Sequence, residues 1–250
     1  DMNWHNHAGM LTYPMQVAVK FNVPLVFYGD HGFTEQGGMY SHSDFFEFTA
    51  KDRYENGQHG FDWFDFVDKE GLTKKDLAYL IYPNDEEIIR TGLRGIFLSN
   101  YFYYDGRMHS EIAKANYNWE EYGGNFDRTF SKVSNIDDMH ENGIHDYMKF
   151  IKLGYGRGTD HANYEIRQGK MTRDEGIEMV KKYDHVKPSD LARWLEYVGM
   201  NEDEFDTIAD KFRDQRVWSI QDGSWYKYDV TGEYVSYGKV KSKPSWAKNL

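Results

Sequence analysis

The chain has 250 residues, 41 Asp and Glu against 30 Lys and Arg, a formal charge of −11 and no cysteine. That charge repels a phosphate backbone, which argues against nucleic acid, and the lack of thiols excludes disulfides and thiolate metal sites. Aromatic residues make up 17% of a chain this long, so a packed core is expected rather than disorder. No apolar run is long enough to span a bilayer and no signal peptide is visible, which fits a cytoplasmic protein.

The first unit is "LTYPMQVAVKFNVPLVFYGDHG" (11–32). Leu11, Met15, Ala18 and Val19 fall on one helical face, with Thr12 placed to cap and Pro14 in the first turn. "VPLVFYG" then reads as a short buried strand ending at Gly29, and helix followed by buried strand is an α/β pattern. Residues 30 to 71 look irregular, with "FDWFDFV" (61–67) as a short helix. Thr73 caps "KKDLAYLI", and Asn84 or Asp85 opens a helix over "NDEEIIRTGL". "RGIFLSNYFYY" (94–104) can supply a second buried strand. "RMHSEIAKANYN" (107–118) is helical, and so is "IDDMHENGIHDYMKFIKLGYG" (136–156), which ends in a glycine-rich stop.

The last third has the clearest periodicity. Thr172 to Glu175 form a capping box, as do Asn201 and Glu204. Leu191, Trp194, Leu195 and Val198 repeat at i, i+3, i+4, i+7, as do Phe205, Ile208, Ala209 and Phe212, so these stripes are core. "VWSIQDGSWYKYDVTGEYVSYG" (217–238) is expected as strand or extended tail, and "KVKSKPSWAKNL" (239–250) as a frayed end. The expected division is 1–105, an α/β domain with an irregular insertion; 106–213, a helical region; and 214–250, a tail.

Two stretches carry candidate chemistry. "YGDHGFTEQGG" (28–38) follows the first strand, and ligands of open α/β sheets bind beyond the carboxyl ends of strands. Asp30, His31 and Glu35 would project there; Asp30 and Glu35 could hold Mg²⁺, and Gly29 permits close approach. A turn with a solvated Asp fits this stretch equally well. "GYGRGTDHANYEIRQGKMTR" (154–173) sets Lys152 and Arg157 around glycines, a composition suited to an anion. Asp160, His161, Glu165 and Arg167 follow on a helix. Structural ion pairs, Asp160 with Arg157 and Glu165 with Arg173, explain these residues as well as a ligand does. His5 and His7 could bind a metal, although no carboxylate stands at ligand spacing. Neither a nucleophile elbow nor a phosphate loop is present.

Taken together, "NWHNHAGMLTYPMQVAVKFNVPLVFYG", "IKLGYGRGTDHANYEIRQGKMTRDEGIEMVKKYD" and "LEYVGMNEDEFDTIADKFR" resemble the C-terminal two-thirds of the N-acetyl sugar amidotransferases. These belong to the PP-loop ATP-pyrophosphatase superfamily. The resemblance implies part of a PP-loop parallel sheet followed by a mainly helical region. It implies a reaction in which ATP, with Mg²⁺, adenylates an acetamido oxygen of a sugar or sugar nucleotide and ammonia then displaces AMP. The ammonia would come from a glutaminase subunit through a cyclase-like subunit, and the products are acetamidino sugars of lipopolysaccharide and flagellar glycans. By position, Gly29, Asp30 and Glu35 match the loop near the nucleotide. Lys152 and Arg157 are implied at the pyrophosphate, with Asp30, as catalytic groups. Asp160, His161, Glu165 and Arg167 are implied at the substrate, with Arg173 as scaffold between helices. Arg157 is expected to line a cleft with Asp30. The family's Ser-Gly-Gly-Lys-Asp-Ser loop is not in this chain, and Asn3-Trp4-His5-Asn6-His7 stands where the family often has Cys-Trp-Pro-Cys-His. Two alternatives are a fragment of the enzyme and a sugar-binding or assembly module without ATP chemistry; an asparagine-synthetase-like ligase is a third.

Overall fold

The computed structural model describes residues 4–29, 43, 45–133 and 142–248. It is mixed α/β and divides into two compact units, Asp1–Asp105 and Gly106–Leu250.

The first unit is built on helix α1, Trp4–Phe21. Ala8, Thr12, Met15 and Ala18 are its buried positions. The apolar spacing therefore starts a turn earlier than Leu11, at Ala8. This corrects the expected start: Thr12 and Pro14 are interior, and the Thr12 hydroxyl is buried without a partner rather than capping. Strand β1, Leu25–Tyr28, pairs in parallel with β2, Arg94–Phe97, placing Leu25 opposite Arg94 and Tyr28 opposite Phe97. Phe48 bridges Gly95 on β2 in antiparallel sense. Met15, Ala18, Tyr28, Phe48, Leu93 and Phe97 form the core of this unit's sheet.

Both strands are less buried and shorter than expected. Phe27 is 58% exposed, because the described core lies on the Tyr28 face of β1 and Phe27 alternates to the other. β2 gives way to a 3₁₀ turn at Leu98–Asn100, and Tyr101, Phe102 and Tyr103 are exposed. "FDWFDFV" forms a 3₁₀ turn, Trp63–Asp65, headed by Asp62. Asp62 also takes both terminal nitrogens of buried Arg53, at 3.2 and 2.6 Å, and Arg53 lies over the Tyr82 ring. Thr73 and Asp76 form the expected cap, but a turn and a 3₁₀ segment follow instead of an α-helix. Helix α2, Asp85–Thr91, is capped by Asn84 as expected.

The second unit contains α3, Gly106–Tyr117; α4, Asn142–Leu153; α5, Arg157–Arg167; α6, Arg173–Tyr183; α7, Leu191–Val198; and α8, Glu202–Ala209. Residues 136–141 of the expected fourth helix lie outside the described residues. Ile144, Ile151, Leu191, Leu195, Phe205 and Ala209 pack together, as the periodicity of α7 and α8 requires. Residues after 213 follow the strand alternative of the two expected and not the extended tail. They form an antiparallel sheet of β3, Ser219–Gln221; β4, Ser224–Tyr228; and β5, Tyr234–Lys239. Trp218 and Trp225 bury against Phe150 of α4, and the Trp218 indole donates to the Ile151 carbonyl at 2.6 Å. The end is not frayed either: Asp210 accepts from the amides of Lys241 and Ser242, and Trp246 donates to the Arg213 carbonyl. Burial of three indoles supplies what the polar average of this segment conceals.

Arg173 does not join helices. It is exposed and has no polar partner among the described residues, while Glu165 pairs with Arg107 at 3.0 Å. Thr172, one position earlier, does hold its helix: it accepts the Glu175 amide, and Glu175 accepts the Thr172 amide at 2.8 Å. Thr172→Ala is expected to cost about 1 kcal/mol of unfolding free energy, and Arg173→Ala less than about 0.5 kcal/mol. Urea unfolding of the two variants checks this; equal losses would contradict it.

Candidate functional site

The stretch from Gly154 to Arg173 is organised by a residue outside it. Gly154, at φ +77°, ends α4 in the left-handed conformation. Helix α5 then begins after Gly156, which has no side chain to cap it. Asp184, at the end of α6, does so instead. Its Oδ2 accepts the Gly156 amide at 2.9 Å and the Thr159 hydroxyl at 2.5 Å, and its Oδ1 accepts the Thr159 amide at 3.0 Å. A carboxylate at the positive end of a helix satisfies amides that have no intrahelical partner. The approach is close enough to require glycine: a Cβ at residue 158 would lie 2.8 Å from Asp184 Oδ1, and one at 156 would lie 2.9 Å from Arg128 Nη2. Buried Arg128 locks the same junction, donating to the carbonyls of Asp184 at 2.7 Å, Asp146 at 3.2 Å and Val186. The composition signalled an anion here. The anion found is the chain's own Asp184, which takes the Gly156 and Thr159 amides.

The other residues expected at a site are distributed as follows. Arg157 sits on Asp146 through two bonds, Nε at 3.0 Å and Nη2 at 2.9 Å. Asp160 pairs with Lys149 at 2.5 Å, so the expected Asp160–Arg157 pair does not form. Glu165 is buried on Arg107, which replaces the expected pair with Arg173. His161 is largely buried, its Nδ1 2.5 Å from the Thr129 hydroxyl. Burial, with Arg157 nearby, pushes its pKa down to about 4. Lys152 is exposed on α4 without a polar partner among the described residues, and Arg167 is exposed on α5, donating to the Asn163 carbonyl. Asp146, Arg157, Asp160 and His161 are thus gathered around the α4–α5 junction, whereas Lys152 and Arg167 stand apart from it. Gly29 follows β1 in the other unit, exposed; Asp30, His31 and Glu35 lie outside the described residues. Among the described residues no group of three His, Asp or Glu side chains could hold a metal ion, His5 and His7 included.

A cleft of about 800 Å³ opens beside this junction, between α4, the ends of α5 and α6, and the β4–β5 hairpin. That volume suits a small-molecule site, for which roughly 300–1,000 Å³ is usual. Phe150, Tyr155 and Tyr237 contribute rings; Asp184, Lys181 and Lys227 contribute charge. Asp229, at its edge, is held by local donors: Oδ1 accepts from the Thr231 amide at 2.8 Å, the Thr231 hydroxyl at 2.7 Å and the Glu233 amide at 2.9 Å. Burial would raise its pKa, but these bonds and Lys181 bring it down to about 2.

Lys227 is the unusual member. Strand β4 alternates Trp225 and Lys227 inward with Tyr226 and Tyr228 outward, so a lysine occupies a core-facing position. Its ammonium lies over the Phe150 and Tyr237 rings, at 5.7 and 5.0 Å, and donates to the Tyr228 carbonyl. Burial lowers its pKa, partly offset by Asp184 and Asp229. Sequence reasoning missed both Lys227 and Asp184. The alternation in "SWYKY" was the available signal for the lysine; nothing local marked the aspartate. Aromatic faces beside hydrogen-bonding groups are suited to a polyhydroxylated ring.

Residues 116–231, which include every helix of this junction and the cleft lining up to Val230, match the family described as "LPS biosynthesis protein WbpG-like, C-terminal domain". The segment is similar to that family, whose description places it in lipopolysaccharide biosynthesis. No curated protein matches the chain.

His161 makes acid stability a test of the junction. Its pKa is about 4 in the fold against 6.5 for the free side chain, so between those values the unfolded chain binds a proton that the fold does not. Stability conferred by the neutral imidazole is complete above about pH 6.5 and falls as pH drops toward 4. In His161→Gln the loss of unfolding free energy between neutral pH and about pH 5 should shrink by about 1 to 2 kcal/mol. Urea unfolding at the two pH values measures it; identical profiles would contradict a buried neutral imidazole.

Proposed function

We propose, from the match of residues 116–231 to a WbpG-like C-terminal domain, that the chain is the C-terminal part of an ATP-dependent sugar amidotransferase. In this reading an acetamido oxygen of a sugar or sugar nucleotide attacks the α-phosphorus of ATP and pyrophosphate leaves. Ammonia then attacks the imidate carbon, AMP leaves, and the acetamide has become an acetamidine. The observation that carries the reading is the tyrosine-lined, charged cleft inside a lipopolysaccharide-biosynthesis domain. The cleft receives the sugar, where its walls exclude water that would hydrolyse the adenylylated intermediate.

ATP and Mg²⁺ belong to this reading, but the described residues do not fit a triphosphate. The Gly156 and Thr159 amides at the start of α5 are engaged by Asp184 and Arg157 by Asp146, and Lys152 has no polar partner among the described residues. No step through ATP is assigned to them. A PP-loop parallel sheet, of which β1 and β2 would be two strands, a glutaminase and a cyclase-like ammonia conduit are further parts of the proposal. The internal capping of α5 favours one alternative specifically, a sugar-binding module without turnover.

ATP–pyrophosphate exchange separates the two, with this chain joined in frame to a segment bearing a Ser-Gly-Gly-Lys-Asp-Ser loop. Exchange dependent on UDP-N-acetylglucosamine or another 2-acetamido sugar is expected. Calorimetric binding of the sugar with no exchange would overturn the amidotransferase and leave the binding module. Tyr155→Ala should weaken sugar binding by about tenfold, the scale of one lost ring contact.

A further inference from the structure

Hydrogen-bonding capacity in the cleft is unbalanced. The carboxylates on its wall are already engaged: Asp184 accepts three bonds, from the Gly156 amide and from the Thr159 amide and hydroxyl. Asp229 accepts three at Oδ1, and its Oδ2 lies 3.4 Å from Lys181. Glu233 extends into solvent at the rim, 3.8 Å from Lys181.

The donors are not engaged to the same degree. Lys227 is 8% exposed, and an ammonium offers three donors. The Tyr228 carbonyl takes one, and no carboxylate pairs with Lys227 among the described residues. Arg213, also lining the cleft, is 6% exposed. Its Nε is on Asp210 at 3.0 Å and its plane lies over the Trp218 and Trp225 rings, but its Nη1 is buried with no partner. A buried cation with unused donors is costly unless something supplies acceptors. Holding Lys227 on an inward strand position, where an apolar residue would pack without that cost, needs a compensating partner.

We infer that Lys227, supported by Arg213, forms an oxyanion subsite in the cleft, taking a phosphate or carboxylate group of the ligand while the Tyr155 and Tyr237 faces take its ring. Phosphate and carboxylate share the chemistry that Lys227 would recognise, a compact anion with several acceptor oxygens. This rests on reading the cleft as a sugar site, and not on the amidine-forming reaction.

Calorimetry on the whole chain with glucose 1-phosphate, glucuronate and methyl glucoside tests it. At least one of the two anionic probes should bind about tenfold or more tighter than the neutral glycoside, and which one does identifies the group. Lys227→Met, which keeps the length and removes the charge, should abolish that preference, and Lys227→Arg should retain much of it. If neither anion binds, or the glycoside binds as tightly, the subsite is overturned. Unchanged anion affinity in folded Lys227→Met overturns it too, leaving the lysine as a packing element. The anion preference of the unmodified chain needs no variant, so misfolding of Lys227→Met leaves the test intact. Binding of the neutral glycoside alone rejects the subsite but retains the sugar cleft, and failed pyrophosphate exchange bears only on the reaction.

Discussion

The second unit depends on one carboxylate. Asp184 is 4% exposed, at the end of α6, and it caps α5 from 25 residues further along the chain. Its side chain draws the Gly156 and Thr159 amides to itself, and its backbone carbonyl takes Arg128. One residue thereby fixes the start of α5, the end of α6 and the segment around Arg128. Buried charges of this kind persist only with their hydrogen bonds complete, and Asp184 meets that requirement with backbone amides, which do not rearrange as side chains do. The wall of the cleft that contains Gly154, Tyr155 and Thr159 takes its position from this junction.

The same economy of charge recurs where cores meet polar groups. Arg53 is matched to Asp62 and Gln58 in the first unit, and Arg157 to Asp146 in the second. Arg213 is stacked on two indoles and fixed to Asp210, which also accepts the Lys241 amide. Against that background Lys227 stands out, because its burial is matched by rings and one carbonyl, with no carboxylate in direct contact among the described residues.

Local order was legible wherever it is local in origin. The capping boxes at Asn84, Thr172 and Asn201 stand as their spacing requires, because both partners lie within one turn. The stripes of α7 and α8 pack at Leu191, Trp194, Leu195, Phe205 and Ala209, whereas Val198, Ile208 and Phe212, expected in the core, are exposed. The start of α1 was misplaced because Thr12 and Pro14 are helix-start residues by type, and only packing of Ala8 and Trp4 shows the helix running through them. The sheet of residues 219–239 was obscured by its polar average, although Trp218, Trp225 and Trp246 were in plain view.

The candidate site divides along the same line. By itself the sequence determined that residues 154 to 173 hold a glycine-rich, cationic helix start, suited to an anion or to structural ion pairs, and which family the segment resembles. Tertiary structure alone decided that the anion is Asp184, that Arg157 is engaged by Asp146 rather than free, and that Lys227 faces a cleft. Composition records which charges a segment carries. Which charges meet depends on contacts between residues 11 to 28 positions apart, and those are set by how helices and strands pack.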